Sequence, residues 1–62
     1  MKPLDIVRIK SLDITGMIKG YTIHKDGTRS WYVYQSVDDG YRIHKNVLEE
    51  DLEIVEESTK YI

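Results

Sequence analysis

Apolar and polar residues alternate along most of the chain with the two-residue period of strands rather than the longer period of helices. In Asp5-Ile6-Val7-Arg8-Ile9-Lys10, Val7 and Ile9 share one face, so the pattern predicts a first strand over 5–10. Ser11-Leu12-Asp13 is a short connection to a long second strand over 14–24, which holds Gly16 and Gly20. Glycine inside a strand marks a bulge or a tight bend. Ile18 and Ile23 are an odd number of positions apart, so both face inward only if one residue between them is bulged; Gly20 is the expected place. Lys25-Asp26-Gly27-Thr28 has the Asp-Gly signature of a hairpin turn. A third strand follows over 29–36, a second turn over Val37-Asp38-Asp39-Gly40, and a fourth strand over 41–45. Strands two to four thus form a meander.

The C-terminal stretch carries two patterns. Asn46-Val47-Leu48-Glu49 has the form of a helix capping box, and Leu48, Leu52 and Val55 fall at helical spacing. Leu52-Glu53-Ile54-Val55-Glu56 equally fits a short strand after a single helical turn at 48–51. Local propensity alone leaves both open. The last residues, Ser58–Ile62, are expected to fray.

Composition adds to the β reading. The chain has no alanine, and 23 of its 62 residues are Val, Ile, Thr, Tyr or Trp, which suit a pleated, half-buried surface. A hydrophobic content of 40% is enough for a folded domain. One small all-β domain over 1–62 is expected. Its core should hold Val7, Ile9, Ile18, Ile23, Trp31, Val33, Ile43, Leu48, Leu52 and one of Ile54 and Val55. A core of this size rarely supplies more than roughly 3–5 kcal/mol, and no cysteine is present to add a disulfide. Apolar runs are too short to span a membrane, and Met1-Lys2-Pro3-Leu4-Asp5 does not read as a secretory leader. A cytoplasmic location is the expectation.

Charge is unevenly placed. Residues 1–48 carry eight Lys and Arg against five Asp, a net of +3, whereas residues 49–62 carry six acids against Lys60, a net of −5. The whole-chain field therefore does not draw the protein onto a polyanion.

Asp5-x-Val7-x-Ile9, then Gly16-x-Ile18, then a strand rich in Tyr and Trp, then Val47-Leu48-x-x-Asp51-Leu52-Glu53-x-Val55 resembles the small bacterial and phage SH3-like barrels, a grouping that includes KOW-type and Tudor-like domains. The resemblance covers residues 5–56. It implies a small five-stranded SH3-like barrel with a single 3-10 turn before the last strand, which favours the turn-plus-strand reading of 47–57. It differs from eukaryotic peptide-binding SH3 domains: the loop at 11–13 is too short for a proline-recognition groove.

The chain also echoes itself. Gly20-Tyr21-Thr22-Ile23-His24-Lys25-Asp26 recurs as Gly40-Tyr41-Arg42-Ile43-His44-Lys45-Asn46, on strands that flank the third. With Ile23 and Ile43 inward, alternation sends Thr22, His24, Arg42 and His44 outward, where Tyr32 and Tyr34 join them. Tyrosine offers planar apolar area with a hydroxyl, and arginine a multi-donor cation, so this set has the chemistry of a binding platform. A non-catalytic adaptor or inhibitor module that contacts a protein partner is expected, as a monomer or weak homodimer. The alternative is a KOW- or Tudor-like nucleic-acid binder using the same face with Lys19, Arg29, Arg42 and Lys45, because bases stack on such aromatics. Neither a nucleophile with its base nor a phosphate-cradling glycine loop stands out, so no enzyme is expected. Two histidines without cysteine fall short of a zinc ligand set, and no metal or cofactor is expected.

Overall fold

In a computed structural model that describes residues 1–59, the alternating segments become β1 (Ile6–Ile9), β2 (Ile14–Ile23), β3 (Arg29–Val37), β4 (Gly40–Leu48) and β5 (Leu52–Glu56), with a 3-10 turn over Glu49–Asp51 before the last strand. They form one antiparallel sheet in the order β4-β3-β2-β1-β5, which leaves β4 and β5 as its edges. The C-terminal stretch is turn plus strand because β5 pairs along β1, from Ile9 opposite Leu52 to Ile6 opposite Glu56. No helix among the described residues is long and apolar enough to cross a membrane.

One face of the sheet carries the core: Val7, Ile9, Ile18, Trp31, Val33 and Leu52, with Met1, Ile14 and Val47 packed against it. Gly16 lets β2 cross close to β3, since a Cβ there would lie 2.6 Å from the Tyr34 carbonyl oxygen and 2.7 Å from Val33 Cγ1. Two bulges then set which side chains reach the core. In β2, Ile18 faces Val33 and Gly20 faces Tyr32, so Lys19 is the extra residue, one position before the expected glycine. In β4, Val47 faces Trp31 while His44 faces Val33; the extra residue falls at Lys45-Asn46, where Asn46 takes φ 58°.

These bulges correct part of the expected core. Ile23 keeps the parity of Tyr21 and Trp31, but it lies at the hairpin end, beyond the packed residues, and is 61% exposed. Ile43 pairs with Tyr34 and so lies on the opposite face from Val33; it is exposed. Leu48 pairs with Ser30 rather than reaching Trp31, and Ile54 and Val55 stand on the β5 edge; all three are exposed. The register between β5 and β1 shifts at Val55, so the alternation there does not continue the inward row.

Polar groups pin the chain ends and turns. Asp5 is fully buried and accepts the backbone N–H of Lys2 at 3.0 Å, the Lys2 ammonium at 3.2 Å and the backbone N–H of Ser58 at 2.7 Å. Ser58, expected to fray, is therefore tied to the N-terminal segment; residues 60–62 lie outside the described residues. Burial pushes the Asp5 carboxyl up, but the hydrogen bonds from Ser58 and Lys2 and the Lys2 charge outweigh it and hold the pKa below the ordinary 3.8. Asp51 plays a similar part for the 10–13 loop, accepting Ser11 N–H at 2.9 Å and the Ser11 hydroxyl. At the first hairpin, Asp26 Oδ1 accepts Thr28 N–H at 3.0 Å and its hydroxyl at 2.6 Å, and Gly27 supplies φ 88°. The Thr28 hydroxyl and then its N–H lower the Asp26 pKa.

Candidate binding surface

The sheet face opposite the core is aromatic. β3 alternates without interruption, so Trp31 and Val33 point into the core while Tyr32 and Tyr34 point away, each half-buried. Tyr32 lies across from Gly20, and its hydroxyl meets Thr22 Oγ1 at 2.6 Å.

Tyr34 has a different setting. The Lys19 ammonium sits 5.7 Å from its ring centroid and the Tyr41 ring 6.2 Å away at 52°. The bulge that displaces Lys19 from the ladder is what frees it to cover this ring. Around Tyr34 runs a groove of about 330 Å³, lined by Ile6, Met17, Lys19, Ser36 and Tyr41 together with β2 at Thr15-Gly16. Tyr41 is 70% exposed and forms its outer wall. The groove thus combines thioether, aliphatic and aromatic surface with a single ammonium and two hydroxyl-bearing rings. Such a surface buries apolar side chains and offers hydrogen bonds at its rim.

Of the residues expected on this face, Thr22, Tyr32 and Tyr34 are brought together. Arg42 and His44 are not. They pair with Gln35 and Val33, on the core side of the sheet, and His44 Nε2 lies 3.0 Å from Gln35 Oε1. The physical reason is register: the two echoed segments align in sequence, but Ile23 lies opposite Arg29 and Ile43 opposite Tyr34, two β3 residues of opposite parity. His24 is engaged at the hairpin end, with Nε2 2.9 Å from Ser30 Oγ, which in turn donates to Asn46 Oδ1 at 3.3 Å.

The four cations of the nucleic-acid reading are dispersed. Lys19 is beside Tyr34, Arg29 lies 5.0 Å from the Tyr21 ring, Arg42 faces Gln35, and Lys45 sits in the β4 bulge. Tyr21 and Arg29 build a stack that alternation did not single out, since Tyr21 also packs on Trp31 at 5.1 Å. The signal for it is the bulge at Lys19, which turns Tyr21 to the core side. Tyr41, Met17 and Ile6 were missed for a related reason: the groove is built across three strands whose register alternation does not specify. No family model, curated protein or solved structure matches the chain.

Proposed function

We propose that the chain is an SH3-like barrel that acts as a non-catalytic binding module, of adaptor or inhibitor type, and takes a protein partner on the Tyr32–Tyr34 face. The strand order, the bulges that coil the sheet and the 3-10 turn before β5 support the barrel reading. The observation that carries the functional reading is the groove at Tyr34: aromatic and aliphatic surface with one cation at its rim, on the face that the core does not use. Interface hot spots are enriched in tyrosine and arginine seated in apolar surroundings, and this groove supplies the tyrosine half.

The nucleic-acid reading needs cations in line with the stacking platform to track phosphates. Lys19 meets that condition at Tyr34, while Arg29 and Arg42 stand on the core side of the sheet. The dispersal favours the protein partner.

Affinity capture from nuclease-treated lysate tests this reading, with wild type, Tyr34→Ala and Arg42→Ala as baits. Wild type and Arg42→Ala are expected to retain the same protein and Tyr34→Ala to lose it. Retention by Tyr34→Ala, or dependence of the capture on nucleic acid, would overturn it.

A further inference from the structure

An aspartate followed by glycine is the step at which a backbone most readily reacts with its own side chain. The glycine nitrogen lies within reach of the aspartyl carboxyl, and no side chain on the glycine shields it. Two of the four glycines follow an aspartate, Gly27 after Asp26 and Gly40 after Asp39. Both steps are exposed, both fall where one strand turns into the next, and both glycines take positive φ, 88° and 135°. Gly27 donates its N–H to the His24 carbonyl at 2.9 Å, and Gly40 is paired with Val37 across its turn. Exposure, glycine and an anchored backbone are thus common to the two steps. The carboxyls differ.

Asp26 is clamped. Its Oδ1 accepts both the N–H of Thr28 at 3.0 Å and the Thr28 hydroxyl at 2.6 Å, a side-chain turn closed twice on one oxygen. The clamp favours the ionised carboxylate, in keeping with the lowered Asp26 pKa, and fixes the side chain toward residue 28. Attack by the glycine nitrogen needs the neutral acid, since the carboxyl must give up a hydroxyl, and needs Cγ free to swing onto that nitrogen. The clamp opposes both. Asp39 has no counterpart to it. Two residues on stands Tyr41, whose ring lies 6.2 Å from that of Tyr34 on the sheet face. Among the described residues no hydrogen-bond donor or cation holds the Asp39 carboxylate, and its neighbour Asp38 brings only a second acid.

From this contrast we propose that Asp39 is a site of spontaneous covalent modification, isomerising to isoaspartate, and that the Thr28 clamp spares Asp26. The Gly40 nitrogen attacks Cγ of Asp39. The N–Cγ bond forms as the C–OH bond of the acid breaks, and the nitrogen's proton leaves with the hydroxyl as water. Water then adds to the succinimide. Opening at the Cγ carbonyl restores aspartate, while opening at the α-carbonyl leaves the chain running through Cβ and Cγ. Nothing is oxidised or reduced. The product has one more backbone atom between Val37 and Gly40, in a turn whose length sets the β3–β4 register. The inference is independent of what the Tyr34 face binds.

Prolonged incubation of the intact protein at neutral pH and physiological temperature tests it. Peptide mapping with electron-transfer fragmentation tells isoaspartate from aspartate at each position. In the folded protein, isoaspartate should build up several-fold faster at position 39 than at position 26. In guanidinium chloride, where the clamp is lost, the two positions should react at similar rates. Thr28→Val, its fold checked by circular dichroism, lacks the hydroxyl and should raise isoaspartate at position 26 several-fold while leaving position 39 unchanged. Equal accumulation at both positions in folded wild type, faster reaction at 26, or no isoaspartate at 39 would overturn the inference. So would a preference for 39 that persists in guanidinium chloride, or a Thr28→Val protein with position 26 unchanged.

Discussion

Trp31 and Tyr32 are neighbours on β3, yet their surroundings have nothing in common. Trp31 is 1% exposed, its ring packed by Tyr21 within the cluster of Val7, Ile9, Ile18, Val33 and Leu52. Tyr32 stands on the other face, half-exposed, held by a hydroxyl pair to Thr22. The core face gains its stability from area removed from water, a collective quantity that one truncation damages severely. The outer face is held by pairs, each worth roughly 0.2–1 kcal/mol. A residue there is therefore free to serve a partner at little cost to the fold.

Trp31→Ala should show the contrast at its largest. Removing a buried tryptophan costs about 3–5 kcal/mol, as much as the roughly 3–5 kcal/mol that a core in a chain this small supplies at most. The variant is expected to be unfolded at room temperature by circular dichroism, whereas Tyr34→Ala should melt within a few degrees of wild type. Comparable losses of stability in the two variants would erase the distinction between the faces.

Asp5→Ala comes next. It leaves the N–H groups of Lys2 and Ser58 without their acceptor in a buried site, an expected loss of about 1–3 kcal/mol in urea unfolding. The pH dependence has a definite sign. The folded carboxyl has a pKa below the ordinary 3.8, so the unfolded chain binds the proton more readily. The contribution is fully present above that value and is lost as pH falls through the folded pKa. Asp5→Asn should flatten the acid limb of the stability profile below about pH 4; an unchanged limb would mean that other carboxylates carry it.

Gly16→Val should cost a similar amount, about 1–3 kcal/mol, because its Cβ would meet the Tyr34 carbonyl and the Val33 side chain where β2 crosses β3. Gly27→Ala, in open space at φ 88°, is strained by conformation alone. Thermal melts that rank Gly16→Val as the milder of the two would contradict the close approach. The smallest effect is expected for Tyr32→Phe, which loses one hydroxyl contact worth about 0.5–1.5 kcal/mol at most and keeps the ring over Gly20.

The central strands were legible in the sequence because their alternation is clean. Val7 and Ile9, Ile18, Trp31 and Val33 lie two apart or are related by a bulge that parity demands, and the Asp26-Gly27 turn fixes where β2 gives way to β3. The Asp5 clasp was hidden, since its partners are backbone groups at Lys2 and Ser58, far apart along the chain. β4 was harder still. Nothing in Tyr41-Arg42-Ile43-His44-Lys45-Asn46 marks the extra residue, because Asn46 reaches φ 58° without a glycine to signal it. That one residue reverses the faces of Ile43, Arg42 and His44. The candidate site followed the same rule: the β3 tyrosines were visible, while the groove around Tyr34 depends on cross-strand register that only pairing determines.

Site-specific photo-crosslinking tests the central claim, that the face opposite the core is the contact surface for a protein. A photoreactive side chain is placed at Tyr41, on the wall of the Tyr34 groove, and in a second protein at Leu12, exposed in the loop between β1 and β2. Irradiation in nuclease-treated lysate should yield a discrete protein adduct from position 41, competed by unlabelled wild type and not by Tyr34→Ala, and none from position 12. Equal adducts from both positions, or competition by Tyr34→Ala as effective as that by wild type, would contradict it.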